Sequence, residues 1–471
     1  MEQKNKKKIS TQTIIKLLLA VVLLGLSAFL LKGDVWTFWT WWLLAGVMGF
    51  AAMPVTGRLF WRFEDKGWIF SKVLAIAATG FLTWFLTAIR LIPFNALTCA
   101  AVTILCAVIC FFLLRKESKE KTECFPVDRI SLIYWEELLF FLAFLMWTYL
   151  AGFRPAAYGT EKFMDYGFME AMMRSTTLPA RDLWYSEGHI NYYYGGQYFA
   201  VFLTKLSHTK VELTYNLMRT FVAGLAFAMP FSLVYQMMSD RMKGQQKSEK
   251  VIKGLPFAAG FTAGTAVSIA GNMHYVIYAQ IIPLIEKLTG KEVSSYWFPD
   301  ATRYIGYNPY REEDRTIHEF PCYSFVLGDL HAHVVNIMFV LLVIALLYVW
   351  LRGVRKKTVP VETSMKDGKF WKEQLLMPHL LVISALLGMF QWTNFWDFVI
   401  YYVVTLGTVL FANIIRFQGK IKKIMVVTFA QMAEIYLLAY LVILPFTLQF
   451  DTMVDGIGIA NPAEAAGLQL I

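Results

Sequence analysis

Apolar runs long enough to cross a lipid bilayer as helices recur along almost the whole chain, and they leave it few ways to fold. In lipid the backbone must satisfy its own amides and carbonyls, so a run of roughly 20 apolar residues reads as a spanning helix. Such runs lie near Ile14–Leu31, Trp36–Met53, Trp68–Ile89, Ile92–Leu114 and Ile133–Gly152. Others lie near Tyr215–Met238, Gly254–Ala270, Val334–Leu351, Leu376–Gln391, Phe398–Ile415 and Ile424–Leu448. They predict an all-α, polytopic integral membrane protein with about eleven spans. Composition agrees, because only 17% of the 471 residues are charged and 57% are hydrophobic. The net charge of +10 does not point to nucleic acid, since basic residues collect in the cytoplasmic loops of such proteins. Cys99, Cys106 and Cys110 share one apolar run and the five cysteines are odd in number, so no disulfide framework is implied. The first run follows MEQKNKKK, exceeds a signal-peptide core and lacks a clear cleavage site, which makes it a retained anchor.

One run resists this reading. Tyr192–Leu206 is short and is interrupted by two glycines, Gln197 and Lys205. With the N-terminus in the cytoplasm, the basic segments Arg58–Lys72, Arg115–Arg129, Arg241–Lys253, Arg352–Lys372 and Arg416–Lys423 share the cytoplasmic side only if this run does not cross. It is therefore expected to lie on, or dip into, the outer leaflet. Two large polar loops, about Phe153–Leu213 and Met273–His333, then share the outer face with Trp392–Asp397 and the tail from Asp451. Every histidine except His379 falls on that side. The expected organisation is an N-terminal membrane portion over 1–132, a main membrane domain over 133–458 and the start of an outer tail over 459–471.

The outer loops carry the residues capable of chemistry. Glu161 and Asp165 are four apart, so a helix sets both carboxylates on one face. Such a pair suits a general base for an acceptor hydroxyl or a cation site, and equally an ordinary solvated face. Glu170 and Arg174 have the spacing of a helix ion pair. The triplet Tyr192-Tyr193-Tyr194 fits either an interfacial aromatic belt or a platform for a sugar or lipid tail. In the second loop Asp329, His331 and His333 alternate ahead of an apolar helix. On an extended chain all three point one way, and oxygen with imidazole suits manganese, iron or zinc; a merely polar helix start remains the alternative. Arg303, Arg311 and Arg315 offer forked donors for a phosphate, although Glu312, Glu313 and Asp314 compete for the last two. Asp397 heads a helix, where it complements the dipole or reaches the same pocket. Glu434 and Gln431 fall inside the last run and should face the bundle interior, which keeps a transporter in view.

The ordered stretches EKFMDYGFMEAMMRS, HINYYYGGQY, YWFPDATR, EFPCYSFVLGDLHAH and TNFWD resemble the uncharacterised archaeal and bacterial "YYY" multi-pass membrane family, over roughly Tyr134 to Gly458. More loosely, the chain is similar to the GT-C glycosyltransferases. These carry an acidic residue or pair in the first large outer loop, where Glu161 and Asp165 stand here. His189-Ile190-Asn191-Tyr192-Tyr193 stands in place of a His-Pro-Pro-Leu-Tyr-Tyr stretch, without its prolines, and Leu217-Met218-Arg219 opens an arginine-bearing span. The resemblance implies a GT-C-like fold with two large outer loops. It implies transfer of a sugar from a polyprenyl-phosphate-linked donor to a cell-envelope glycan, lipid or protein acceptor at the outer membrane face. Asp165 or Glu161 would be the catalytic base. His189, Asn191, Tyr192, Tyr193, Tyr194, Arg219, Asp300, Arg303, Glu319 and Asp397 would bind substrate, beside membrane lipid. Asp329, His331 and His333 would hold a divalent manganese, magnesium or zinc ion, or the acceptor. Two rival readings stay open: a metal-dependent hydrolase of lipid or cell-wall substrates centred on Asp329, His331 and His333, and a transporter or flippase using Glu434 and Asp397.

Overall fold

A computed structural model describes residues 10–120, 124–243, 249–303, 307, 315–354 and 365–452. Among them there are helices and no β-strand; an isolated bridge pairs Arg181 with His189. The first long helices are α1 (Thr11–Leu31), α2 (Val35–Leu59), α3 (Trp68–Ala88), α4 (Ala96–Glu120) and α5 (Ile130–Ala151). The first polar loop holds α6 (Lys162–Arg174) and leads to α7 (Gly195–Ser207), α8 (Val211–Met242) and α9 (Glu249–Ser268). The second holds the short α10 (Ile282–Leu288) and α11 (Pro321–Leu327). It is followed by α12 (Ala332–Val354), α13 (Gly368–Leu375), α14 (Pro378–Thr393), α15 (Phe395–Phe417) and α16 (Ile421–Thr447).

Among the described residues, eight stretches are long and apolar enough to cross a membrane, or nine if α13 and α14, bent by 52°, count as one. The sequence expectation of about eleven differs in two places. The 49-residue stretch Thr11–Leu59 contains two expected runs. It doubles back at Lys32–Asp34, because Trp39 Nε1 donates to Ser27 Oγ at 3.0 Å, and twelve residues of straight helix would separate them by about 18 Å. The second difference is α9, which covers the Gly254–Ala270 run and is not among the eight. Its composition explains this. Gly260 and Gly264 sit so close to α8 that an added Cβ would come within 2.7 Å of the Phe231 carbonyl and 2.6 Å of the Phe227 carbonyl. Small residues that let backbones approach lower hydropathy while they strengthen helix packing.

Ion pairs and hydrogen bonds gather one end of the bundle. Arg129 pairs with Glu64 at 3.4 Å, Lys243 with Glu64 at 3.7 Å, and Arg352 with Asp240. His379 Nε2 lies 2.7 Å from the Leu59 carbonyl, and Arg416 donates to Gln374 at 2.6 Å. The described parts of the basic segments therefore sit at one end, as the parity of the spans requires. Lys247, inside one of those segments, lies outside the described residues.

Both ends of α7 touch helix ends at the opposite face. Gly195 abuts Trp392 and Thr393 at the end of α14, Gly196 abuts Val335 in α12, and Thr204 Oγ1 donates to Thr214 Oγ1 at the start of α8. The helix thus begins and ends at that face and does not traverse the bundle. It does not lie in the lipid leaflet, however: every residue from Gly195 to Lys205 is buried in protein. The paired glycines explain the difference, since a Cβ at Gly195 would stand 2.7 Å from Thr393. One apolar cluster runs from Leu23 in α1 to Phe446 in α16, so packing continues across residue 132.

Candidate functional site

The site is assembled from the turn before α6, the buried start of α7, and the turn between α11 and α12. On α6, Asp165, Phe168, Met169 and Met172 form the inward stripe of an amphipathic helix. Asp165 is consequently completely buried, while Glu161, at the N-cap position, keeps 57% of its side chain exposed. The chain reaches Glu161 through Gly159 at φ +85° and Thr160 at φ +48°. A β-branched residue in the left-handed region is a genuine outlier, and such strain concentrates at functional sites. Here it aims Thr160 Oγ1 at Asp329, 2.6 Å from each carboxylate oxygen.

Gln197 in α7 joins the two acidic strips. Its Nε2 donates to Asp165 Oδ1 at 2.7 Å and to the Leu330 carbonyl at 3.1 Å. Asp165 Oδ2 and Gln197 Oε1 are buried without a hydrogen-bond partner. Burial, with smaller contributions from the Asp329 and Glu161 charges, pushes the Asp165 carboxyl up to about 8, against the Gln197 bond that favours the anion. Asp329 is also raised by burial, with Thr160, His331 and Lys162 working against that shift.

Beyond Asp329 the chain turns sharply. Gly328 ends α11 at φ +90°, and an added Cβ would meet the Arg219 guanidinium at 2.9 Å. Arg219 Nη1 donates to the Phe325 carbonyl at 2.7 Å, and its Nε and Nη2 donate to Asn216. This arginine is therefore a buried brace for the turn. After the turn, His331 Nε2 lies 3.1 Å from Glu161 Oε2 without hydrogen-bond geometry, and 3.8 Å from Asp329 Oδ2. His333 Nε2 lies 3.3 Å from Glu319 Oε2, which also accepts from Ser324 Oγ at 2.8 Å. Burial alone would raise Glu319, but the His333 and Ser324 bonds and the histidine charges bring it below the usual range.

Beside this cluster lies a cavity of about 570 Å³. Its wall carries the cations Arg154, Lys162 and Arg219 and the rings of Trp147, Phe298 and Phe325, with the exposed Phe153 and Tyr158 at the rim. Burial lowers Lys162, and the nearby Arg219 and Arg154 charges lower it further while Asp329 opposes them. Three positive charges converging on one hollow favour an anionic occupant. A more apolar cavity of about 650 Å³ lies between α2, α3, α4 and α14 and has no charged residue in its lining. It holds none of the site residues.

The other expected residues divide. Tyr192 packs on Phe168, and burial, with the Glu161 and Asp165 charges, pushes its hydroxyl up to about 12. Tyr193 stacks against Phe450 at 5.5 Å, and Tyr194 is buried, its hydroxyl accepting from Trp84 Nε1. His189 is exposed beside the bridge to Arg181, and Asn191 pins the Asp451 backbone through two hydrogen bonds. Asp300 lies in the 3₁₀ turn Phe298–Thr302, whose Phe298 reaches the cavity. Arg303 stacks on Trp297 at 4.4 Å, with Nη1 buried and without a hydrogen-bond partner. Arg311 and its acidic neighbours 312–314 lie outside the described residues. Asp397 is engaged by Asn336 at 2.6 Å and Asn394 at 2.9 Å, and Glu434 Oε2 is buried on α16 without a hydrogen-bond partner. Thr160, Lys162 and Arg154 have no motif to announce them; only the Gly159-Thr160 turn hints at their importance.

Fold and site together define a polytopic helical membrane protein with a carboxylate–histidine cluster and a cationic hollow at one end of its bundle. Residues 78–471 match the family model described as an uncharacterized membrane protein, DUF2298. The chain belongs to that family, and the match begins within α3, upstream of the 133 boundary expected from sequence. No curated protein and no solved structure matches the chain.

Proposed function

We propose that the protein is a membrane glycosyltransferase that moves a sugar from a polyprenyl-phosphate-linked donor to an acceptor hydroxyl of a cell-envelope glycan, lipid or protein. The observation that carries this reading is the cavity beside the acidic cluster. Arg154 and Lys162 sit where a lipid phosphate would rest, and the exposed rings at the rim offer a sideways path from the bilayer. The acceptor oxygen attacks the anomeric carbon, the bond from that carbon to the phosphate oxygen breaks, and its electron pair leaves on the phosphate. The hydroxyl proton passes to Glu161, the solvent-reachable member of the pair. Asp165, enclosed and held by Gln197, positions the Leu330 turn instead. The site faces outward and the N-terminus lies in the cytoplasm, which is why the donor is lipid-linked rather than a cytoplasmic nucleotide sugar.

The test uses purified protein in nanodiscs with polyprenyl-phosphate-linked hexoses and a photoactivatable lipid phosphate. The lipid should cross-link within residues 147–162. Glu161→Gln should lower kcat by about 10²- to 10⁴-fold, the usual span for a general base, and Lys162→Ala should mainly raise KM. Cross-linking confined to residues that do not line this cavity, or full activity in Glu161→Gln, would overturn the reading. Metal-dependent hydrolysis of the same lipid phosphates is a second reading, favoured by the proximity of Glu319, His331 and His333. It predicts sugar release to water with no acceptor present.

A further inference from the structure

Glu319, His331 and His333 each offer one ligand atom, and these atoms lie within 4.8 Å of one another. They come from both sides of α11: Glu319 precedes it, and the histidines follow the Gly328 turn. An ion with bonds of about 2.1 Å in tetrahedral geometry holds its ligand atoms roughly 3.4 Å apart. Small rotations of side chains that are still partly exposed close that difference. The surroundings are also those of a metal centre. Ser324 Oγ donates to Glu319 Oε2 at 2.8 Å, the supporting contact that fixes a ligating carboxylate. Glu161 Oε2 stands 3.1 Å from His331 Nε2 at an angle that makes no hydrogen bond, leaving an oxygen poised beside the cluster.

We propose that Glu319, His331 and His333 bind one divalent transition-metal ion, with zinc as the fitting ion and an open fourth position toward Glu161. Two imidazoles and one carboxylate match zinc and other borderline ions, whereas magnesium prefers an all-oxygen shell. Asp329 is not a ligand. It lies outside the group of atoms that all come within 4.8 Å of one another, and its carboxylate accepts from Thr160 Oγ1. This alters the ligand set read from the alternation of Asp329, His331 and His333. The role of the ion rests on the proposed function: lying beside the cationic hollow, it would meet a phosphate oxygen of the substrate. The existence of the site does not rest on that function.

Metal content is read without any sugar substrate, so this inference and the glycosyltransferase reading fail separately. Protein purified in detergent, stripped with a chelator and dialysed against zinc should retain one ion per chain, measured by mass spectrometry. Glu319→Gln, His331→Ala and His333→Ala should each weaken zinc binding at least 100-fold, Ser324→Ala about 10-fold, and Asp329→Asn by less than 3-fold. Excess magnesium should not displace the ion. The absence of stoichiometric zinc would overturn the proposal, as would its loss in Asp329→Asn with retention in Glu319→Gln. Where a histidine variant fails to fold, X-ray absorption of zinc-loaded wild type decides: two imidazole ligands support the site, and a shell without imidazole removes it.

Discussion

Asp165 has lost all contact with solvent, yet only one of its two oxygens receives a hydrogen bond. Its carboxyl sits at about 8, compared with 3.8 for the free side chain. The folded protein therefore keeps a proton that the unfolded chain releases above about pH 4. Between those values unfolding releases the proton, so stability falls as pH rises from about 4 to 8 and levels beyond. Asp165→Asn lacks this proton but keeps the oxygen that accepts from Gln197. Its thermal unfolding in detergent should vary less across that range, and at pH 8 it should be at least as stable as wild type. A variant much less stable at pH 8 would mean that Asp165 is held as an anion. The four-residue spacing makes the pairing of Glu161 and Asp165 legible, but not the depth of each, because depth depends on what covers α6. The same limit applies to Asp329. Alternation places it with His331 and His333, but α12 starts at Ala332 and takes His333 into a helix, so no single extended stretch carries all three.

At the scale of elements, α7 is where apolar sequence is most ambiguous. Lipid and a protein interior select the same side chains, so composition cannot say which one surrounds a short apolar helix. The glycines and Gln197 carry the distinction. Gly195 and Gly196 let the helix start press against α14 and α12, and Gln197 has a use only if acidic and carbonyl groups surround it. Ala200, fully buried in the middle of α7, supplies a test. Ala200→Cys should resist a membrane-permeant maleimide in the native protein and react once the protein is unfolded. Rapid native labelling would place α7 on the lipid surface. Gly195→Val should destabilise by about 1–3 kcal/mol, the usual cost of overpacking, seen as a lower melting temperature. The tyrosine triplet shows the same division of labour: its density is plain in sequence, yet each ring serves a different neighbour.

For the molecule as a whole, the parity of the apolar runs carries most of the architecture. It needs no knowledge of packing, because each crossing moves the next loop to the other side. The ion pairs from Glu64 to Arg129 and Lys243, and from Asp240 to Arg352, show the basic loops meeting at one end. The cluster of Glu319, His331 and His333 occupies the other end, with Trp184 exposed in the loop that follows α6. We propose, from the bias of lysine and arginine towards cytoplasmic loops, that the Glu64–Arg129 end faces the cytoplasm. Asp128 at that end and Trp184 at the other are both exposed, and the five native cysteines are buried or half-buried. In intact cells, Trp184→Cys should therefore react with a membrane-impermeant maleimide, and Asp128→Cys should react only after permeabilisation. The reverse pattern would turn the protein over. The carboxylate–histidine cluster would then face cytoplasmic substrates, nucleotide sugars among them, and the reason for a lipid-linked donor would disappear.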